Sequence, residues 1–80
     1  MTQAEILTQL TELFRDVFDD PALVLTPETT AQDVPGWDSM AHITIVVEAE
    51  QRFGIKFRTS EVEVLHNVGD FAALIAARTA

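Results

Sequence analysis

The chain has 80 residues, of which 48% are apolar and 22% charged, with a formal net charge of -8 and no cysteine. That composition suits one small folded domain over residues 1–80 and sets aside a disordered tail. The acidic balance argues against nucleic acid, which takes a positive surface, and favours partners with basic docking surfaces.

Without a thiol there is no disulfide, no thiolate zinc site and no cysteine nucleophile. The N-terminal stretch MTQAEILTQL carries an acid and amides where a secretory leader carries basic residues. No apolar run approaches membrane-spanning length, so the expected location is the cytoplasm, without membrane attachment.

The first predicted helix starts at Thr2, because Thr2 and Glu5 have the spacing of a capping box. Ile6, Leu7, Leu10, Leu13, Phe14, Val17 and Phe18 then recur at helical spacing and form one apolar stripe. Asp19-Asp20-Pro21 stops it. Residues 19–38 hold all three prolines and read as a long connection. Leu23, Val24 and Leu25 are too apolar to hang in water and are expected to pin this loop to the core. Connections of this length in compact domains tend to be functional or disordered.

The second predicted helix runs from Ser39 to Phe53, with Asp38 as N-cap and Gly54 ending it. Ile55 and Phe57 are expected to be buried in the short alternating piece that follows. Ser60 and Glu63 repeat the capping-box spacing, so a short third helix is expected over 60–65. Asn67 caps the last helix, whose buried face carries Val68, Phe71, Leu74 and Ile75. The expected fold is an all-α bundle of three longer helices and one short one.

The second helix carries more apolar surface than a core stripe requires. Successive residues turn by about 100°. Ile45, Val46, Ala49 and Phe53 share one face, with His42 in the same sector, while Met40, Ile43 and Val47 share a neighbouring face. Two explanations are open. The helix is buried on several sides, or Met40, Ile43 and Val47 are exposed for docking a protein partner.

Ser39 sits in the first turn of that helix, where free N–H groups and the positive end of the dipole suit a phosphate. Asp38 would repel an anion and compete for the same N–H groups, so a phosphoester at Ser39 should point outward. His42 lies three residues on, but GWDSM is not the glycine-flanked nucleophile elbow, and nothing marks an oxyanion hole. Ser at a helix start is also simply common. Trp37 and His42 occupy the N′ and N4 positions of a hydrophobic staple and are read as packing partners. His66 is read as a loop surface residue. Two distant histidines without cysteine give no metal site, and Asp19-Asp20 lacks EF-hand spacing.

Gly36-Trp37-Asp38-Ser39-Met40, then Glu50-Gln51-Arg52-Phe53-Gly54-Ile55, then Asn67-Val68-Gly69-Asp70-Phe71 together resemble the acyl carrier protein family over almost the whole chain. The resemblance implies that Ser39, beside its motif neighbour Asp38, is esterified with 4′-phosphopantetheine taken from coenzyme A by a phosphopantetheinyl transferase. It implies a non-catalytic carrier, monomeric, that presents thioester-bound acyl groups to acyl-loading and acyl-processing enzymes. The reactive thiol missing from the chain would arrive on that arm.

Several positions depart from the common pattern. Met40 stands for the usual Leu, a volume-conserving change. Trp37 and His42 are not general to fatty-acid carriers, and Ala41 and Thr44 stand where those carriers usually show acids. The departures point to a discrete carrier of a specialised pathway, such as polyketide or antibiotic biosynthesis. Asp38 argues against a peptidyl carrier, where Gly is usual; a discrete aminoacyl or D-alanyl carrier stays open. So does an unmodified helical interaction domain on the same fold.

Overall fold

The computed structural model describes residues 1–79. Four α-helices follow one another, with no strand among the described residues: α1 (Gln3–Val17), α2 (Ser39–Phe53), α3 (Thr59–Glu63) and α4 (Val68–Thr79). A single 3-10 turn, Ala31–Asp33, interrupts the long loop between α1 and α2. The expected all-α bundle is what the chain forms.

The capping box at Thr2 is present in both directions. The Glu5 N–H donates to Thr2 Oγ1 at 3.1 Å, and the Thr2 N–H donates to Glu5 Oε1 at 2.9 Å. These bonds, the backbone one foremost, hold the Glu5 carboxyl below the usual carboxylate range. Ile6, Leu10, Leu13 and Phe14 are buried along one side of α1. The helix ends where Asp19 turns left-handed at φ 51° and the Asp20 N–H reaches back to Arg15 O at 3.0 Å. Asp is among the few non-glycine residues that take this conformation readily.

The long loop is fastened to the core by two of the three residues expected, and by Val34 in addition. Leu25 is buried and Leu23 half-buried, but Val24 is 69% exposed. The chain is not helical there, and burial alternates along Leu23-Val24-Leu25, so Val24 faces away from the side that both leucines take. Val34 is a core residue that the sequence did not single out. Arg15 Nε donates to Leu23 O at 2.7 Å, tying the loop to α1.

The loop also meets the start of α4. The Val68 N–H donates to Thr29 O and the Gly69 N–H to Pro27 O, both at 2.8 Å. Asn67 caps α4 as expected, its Oδ1 accepting from the Asp70 N–H at 2.8 Å. A Cβ on Gly69 would stand 2.8 Å from Pro27 O, closer than side-chain carbons come to a carbonyl, and the neighbour is backbone that cannot swing aside. Gly69→Ala is therefore expected to destabilise the protein by about 1–3 kcal/mol, the cost of forcing a backbone shift in a packed region. A urea melt checks this; an unchanged midpoint would show that the loop yields without cost.

Ile45 and Ala49 of α2 and Val68, Phe71, Ala72 and Ile75 of α4 complete the core with α1. Val46, Phe53 and Leu74, expected inside, are half-buried, and Ala72 holds the inner position beside Phe71. Ile55 and Phe57 pack half-buried against the core. Gly54 ends α2 at a left-handed φ of 67°, and Glu50 Oε2 accepts the Phe57 N–H at 2.8 Å.

The third helix differs from expectation. It starts at Thr59 and ends at Glu63, and its N-cap is Arg58, not Ser60. Glu61 supplies the reciprocal contact, accepting the Arg58 N–H at 2.8 Å, and also pairs with Arg78 of α4. These partners, Arg58's backbone first, hold the Glu61 carboxyl below the usual carboxylate range.

A carboxyl depressed in the folded state stabilises fully above the ordinary glutamate range and loses that contribution as pH falls through its folded value. Amide protection in α3 should thus fall on acidification, and Glu61→Gln should flatten the fall. Equal acid sensitivity in the two proteins, followed by hydrogen exchange, would contradict this.

Candidate functional site at the start of helix α2

The local sequence explains how Ser39 comes to be on display. Val34-Pro35-Gly36-Trp37 forms a turn closed by the Trp37 N–H donating to Val34 O at 3.1 Å. Pro35 presets one corner, and Gly36, at φ 89°, takes the left-handed corner that a type II turn demands. The Trp37 ring then anchors the turn, meeting the buried Phe14 ring edge-on at a centroid distance of 5.0 Å. Asp38 follows as N-cap, its Oδ1 accepting the Ala41 N–H at 2.9 Å. Ser39 is the next residue, first in the helix and exposed.

The first turn has four N–H groups without intrahelical carbonyls to accept them. Asp38 Oδ1 takes that of Ala41, and the N–H of Asp38 itself donates to Gly36 O at 2.9 Å. The amides of Ser39 and Met40 remain for α2 to present outward, at the positive end of its dipole. The Asp38 carboxylate is therefore occupied with the helix, and a phosphoester on Ser39 finds open solvent on its other side.

The staple expected between Trp37 and His42 is present, with more polarity than packing alone requires. The rings lie 18° from parallel, and Trp37 Nε1–H donates to His42 Nδ1 at 3.2 Å. His42 Nε2 lies 3.3 Å from Val62 O in α3. Both ring nitrogens are thus engaged away from Ser39, which removes His42 as a base for a serine nucleophile in this arrangement. His66 is exposed as expected, its backbone N–H held by Asp70 Oδ2 at 3.1 Å.

The surplus apolar face of α2 is not buried by the rest of the bundle. Met40 is 75%, Ile43 62% and Val47 44% exposed, whereas Ile45 and Ala49 are sealed from solvent. The surplus apolar stripe is therefore solvent-facing. Thr44, also exposed, bonds back to Met40 O at 3.2 Å and adds no charge.

Beside Ser39 lies a groove of about 710 Å³, a feature that no local pattern announces. Ser39, His42 and Ile43 line it from α2, Thr59 and Val62 from α3, with Phe71 of α4 also contributing. A volume of this size is within the range of small-molecule sites, about 300–1,000 Å³. An exposed hydroxyl at the mouth of a largely apolar groove fits a phosphodiester-linked arm. Among the described residues, no group of three His, Cys, Asp or Glu side chains could hold a metal ion, and no helix is long and apolar enough to cross a membrane.

The family model described as the phosphopantetheine attachment site matches residues 8–75. An acyl carrier protein from Acidothermus cellulolyticus is 35% identical over 79 residues, 99% of this chain and 94% of that one. The meromycolate extension acyl carrier protein of Mycolicibacterium smegmatis is 32% identical over 74 residues, covering 92% of this chain and 75% of that protein.

Among solved structures, the solution structure of holo acyl carrier protein from Geobacter metallireducens aligns with a TM-score of 0.85 at 46% identity. The alignment covers 90% of this chain and 83% of that one. Likeness that runs nearly end to end, in sequence and in helix placement, leaves one assignment: this chain belongs to the acyl carrier protein family, and its prosthetic group is phosphopantetheine.

Proposed function

We propose that Ser39 is the residue that bears the phosphopantetheine arm, and that the chain is a non-catalytic carrier for a specialised acyl pathway such as polyketide assembly. The observation that carries this reading is the exposure of Ser39 at the start of α2, beside the groove and with no base directed at it.

In this reading the chain's residues do little chemistry and much presentation. The turn at Pro35-Gly36, Trp37 against Phe14, and the Asp38 cap fix the position of the Ser39 hydroxyl. When bound, the arm supplies a terminal thiol on which acyl groups are held as thioesters. Attachment forms a bond from Ser39 Oγ to phosphorus, breaks the pyrophosphate of coenzyme A, and releases adenosine 3′,5′-bisphosphate. The hydroxyl proton goes to a base on the transferase. Met40, Ile43 and Val47 form the surface on which the transferase and the acyl-loading and acyl-processing enzymes dock, with Asp38 and Glu48 nearby in sequence for basic partners. Tethering raises the effective concentration of cargo at each docked enzyme.

The neutral Ala41 and Thr44 on α2 support a pathway apart from housekeeping fatty-acid synthesis. The relative named for meromycolate extension supports an acyl cargo over an aminoacyl one. The test is incubation with coenzyme A, magnesium and a broad-specificity phosphopantetheinyl transferase. One added phosphopantetheine by intact mass is expected. No addition, where a control carrier is fully loaded, would favour an unmodified interaction domain on the same fold.

A further inference from the structure

Ser39 stands between the two members of a side-chain hydrogen bond. Trp37 Nε1–H can only donate, so His42 Nδ1, at 3.2 Å, accepts. The one N–H of a neutral imidazole is then on Nε2, 3.3 Å from Val62 O, which can only accept. The ring is thus engaged at both nitrogens, in one tautomer.

The first turn of a helix is where fraying starts, because its amides lack carbonyl partners. Two side-chain bonds close that turn in α2. The inner one, from the Ala41 N–H to Asp38 Oδ1, joins α2 to its own cap. The outer one, from Trp37 to His42, spans the chain from 37 to 42 and has Ser39 inside it. The outer pair also reaches other helices. The Trp37 ring meets buried Phe14 of α1 edge-on, and His42 meets Val62 of α3. Asp38 therefore decides where α2 begins along the chain, and the Trp37–His42 pair decides where that beginning stands against α1 and α3. Neither ring nitrogen is turned to Ser39, so the imidazole acts on the hydroxyl only through the backbone.

We propose that His42 is a positioning residue for arm attachment: by accepting from Trp37 it holds the first turn of α2, so that Ser39 Oγ meets phosphorus in line with the pyrophosphate bond that breaks. This rests on the role proposed for Ser39. The Oγ–P bond forms as the pyrophosphate bond breaks; adenosine 3′,5′-bisphosphate leaves, and the hydroxyl proton goes to the transferase's base. Misplacing a reacting group by about 1 Å costs on the order of 100-fold in rate, so a loosened first turn loses rate without losing its fold.

Three variants test the proposal, with coenzyme A, magnesium and a broad-specificity phosphopantetheinyl transferase. His42→Asn puts an accepting oxygen where Nδ1 stands, the same number of bonds from the backbone, whereas His42→Leu offers none. Trp37→Phe keeps a ring against Phe14 and loses the donor. Loading is resolved into kcat and a KM for the carrier, at a temperature where melts show every variant folded.

His42→Leu and Trp37→Phe should each lower kcat about tenfold, part of what misplacement can cost. KM should stay within about twofold, because the docking residues Met40, Ile43 and Val47 are untouched. His42→Asn should keep most of the wild-type kcat. The double variant Trp37→Phe/His42→Leu should be no slower than either single one, since both remove the same bond. Unchanged kcat in the two single variants, an equal loss in His42→Asn, a loss confined to KM, or losses that multiply in the double variant would overturn the positioning. So would ring ¹⁵N shifts of wild-type His42 that report the Nδ1–H tautomer in place of the expected Nε2–H one. A wild type that is not loaded at all would strike the role given to Ser39 and the positioning with it, whereas a loaded wild type with indifferent variants would strike the positioning alone.

Discussion

Ile45→Asp is expected to leave no cooperatively folded protein at room temperature. Ile45 is fully buried in the core that α2 shares with α1 and α4, and no cation is at hand among the core residues to pair with a carboxylate. Loss of the apolar side chain alone costs about 2–5 kcal/mol in a packed core, and the unpaired charge adds several more. The whole stability of an 80-residue domain is about 4–12 kcal/mol at typical values per residue.

The comparison is Met40→Asp, five positions earlier on the same helix. Met40 is 75% exposed, so the change should move stability by less than about 0.5 kcal/mol. An acid in the first turn also suits the helix dipole. What Met40→Asp should lose is docking: slower loading by the transferase at limiting concentration, with the thermal midpoint unchanged. Circular-dichroism melts of both variants decide the matter. A folded Ile45→Asp protein, or an unfolded Met40→Asp one, would reverse the assignment of the two faces of α2.

Ser39→Ala is expected to abolish loading while leaving the fold intact. The hydroxyl is exposed, and Asp38, not Ser39, caps α2. Alanine is the best residue for a helix interior and replaces serine there without strain. Rate and extent of phosphopantetheine addition should fall to background together, because no neighbouring group can substitute as acceptor at that spot. Asp38→Ala is a useful contrast. It removes the cap, costing about 0.5–2 kcal/mol, yet keeps the acceptor, so loading should slow without vanishing.

Much of the fold was legible because the signals were local. Thr2 with Glu5, Asp38 before Ser39, Gly54 after Phe53 and Asn67 before Val68 each define a helix end within one turn of chain, and each stands where expected. The start of α3 was not legible in the same way. Arg58 with Glu61 and Ser60 with Glu63 offer identical spacing, and Arg78, seventeen residues beyond Glu61, favours the first. Val24 was misjudged because hydropathy says that a segment is anchored, while the path of the non-helical chain decides which of its residues do it.

The site divides along the same line. Trp37 and His42 announced their contact by position, whereas a stripe wider than a core needs left burial or exposure of Met40, Ile43 and Val47 open, and the packing of the helices decides for exposure. The second bond of His42, to Val62 twenty residues away, and the groove it borders depend on how α3 sits. No periodicity within α2 carries that information. Gly69 was equally silent: its requirement comes from Pro27 O across the fold, whereas the left-handed Gly54 was signalled by the helix end that it closes.

The chain contains two serines, Ser39 and Ser60, both exposed and both in the first two positions of a helix. Ser39 opens a long capped helix beside the groove, while Ser60 sits in five residues of α3. Fragmentation of the loaded protein into peptides, with the phosphopantetheine mass located by tandem spectrometry, tests that choice most directly. The account predicts the whole of the modification on the peptide containing Ser39, none on that containing Ser60, and none anywhere in Ser39→Ala. Modification at Ser60, or undiminished loading of Ser39→Ala, would contradict it.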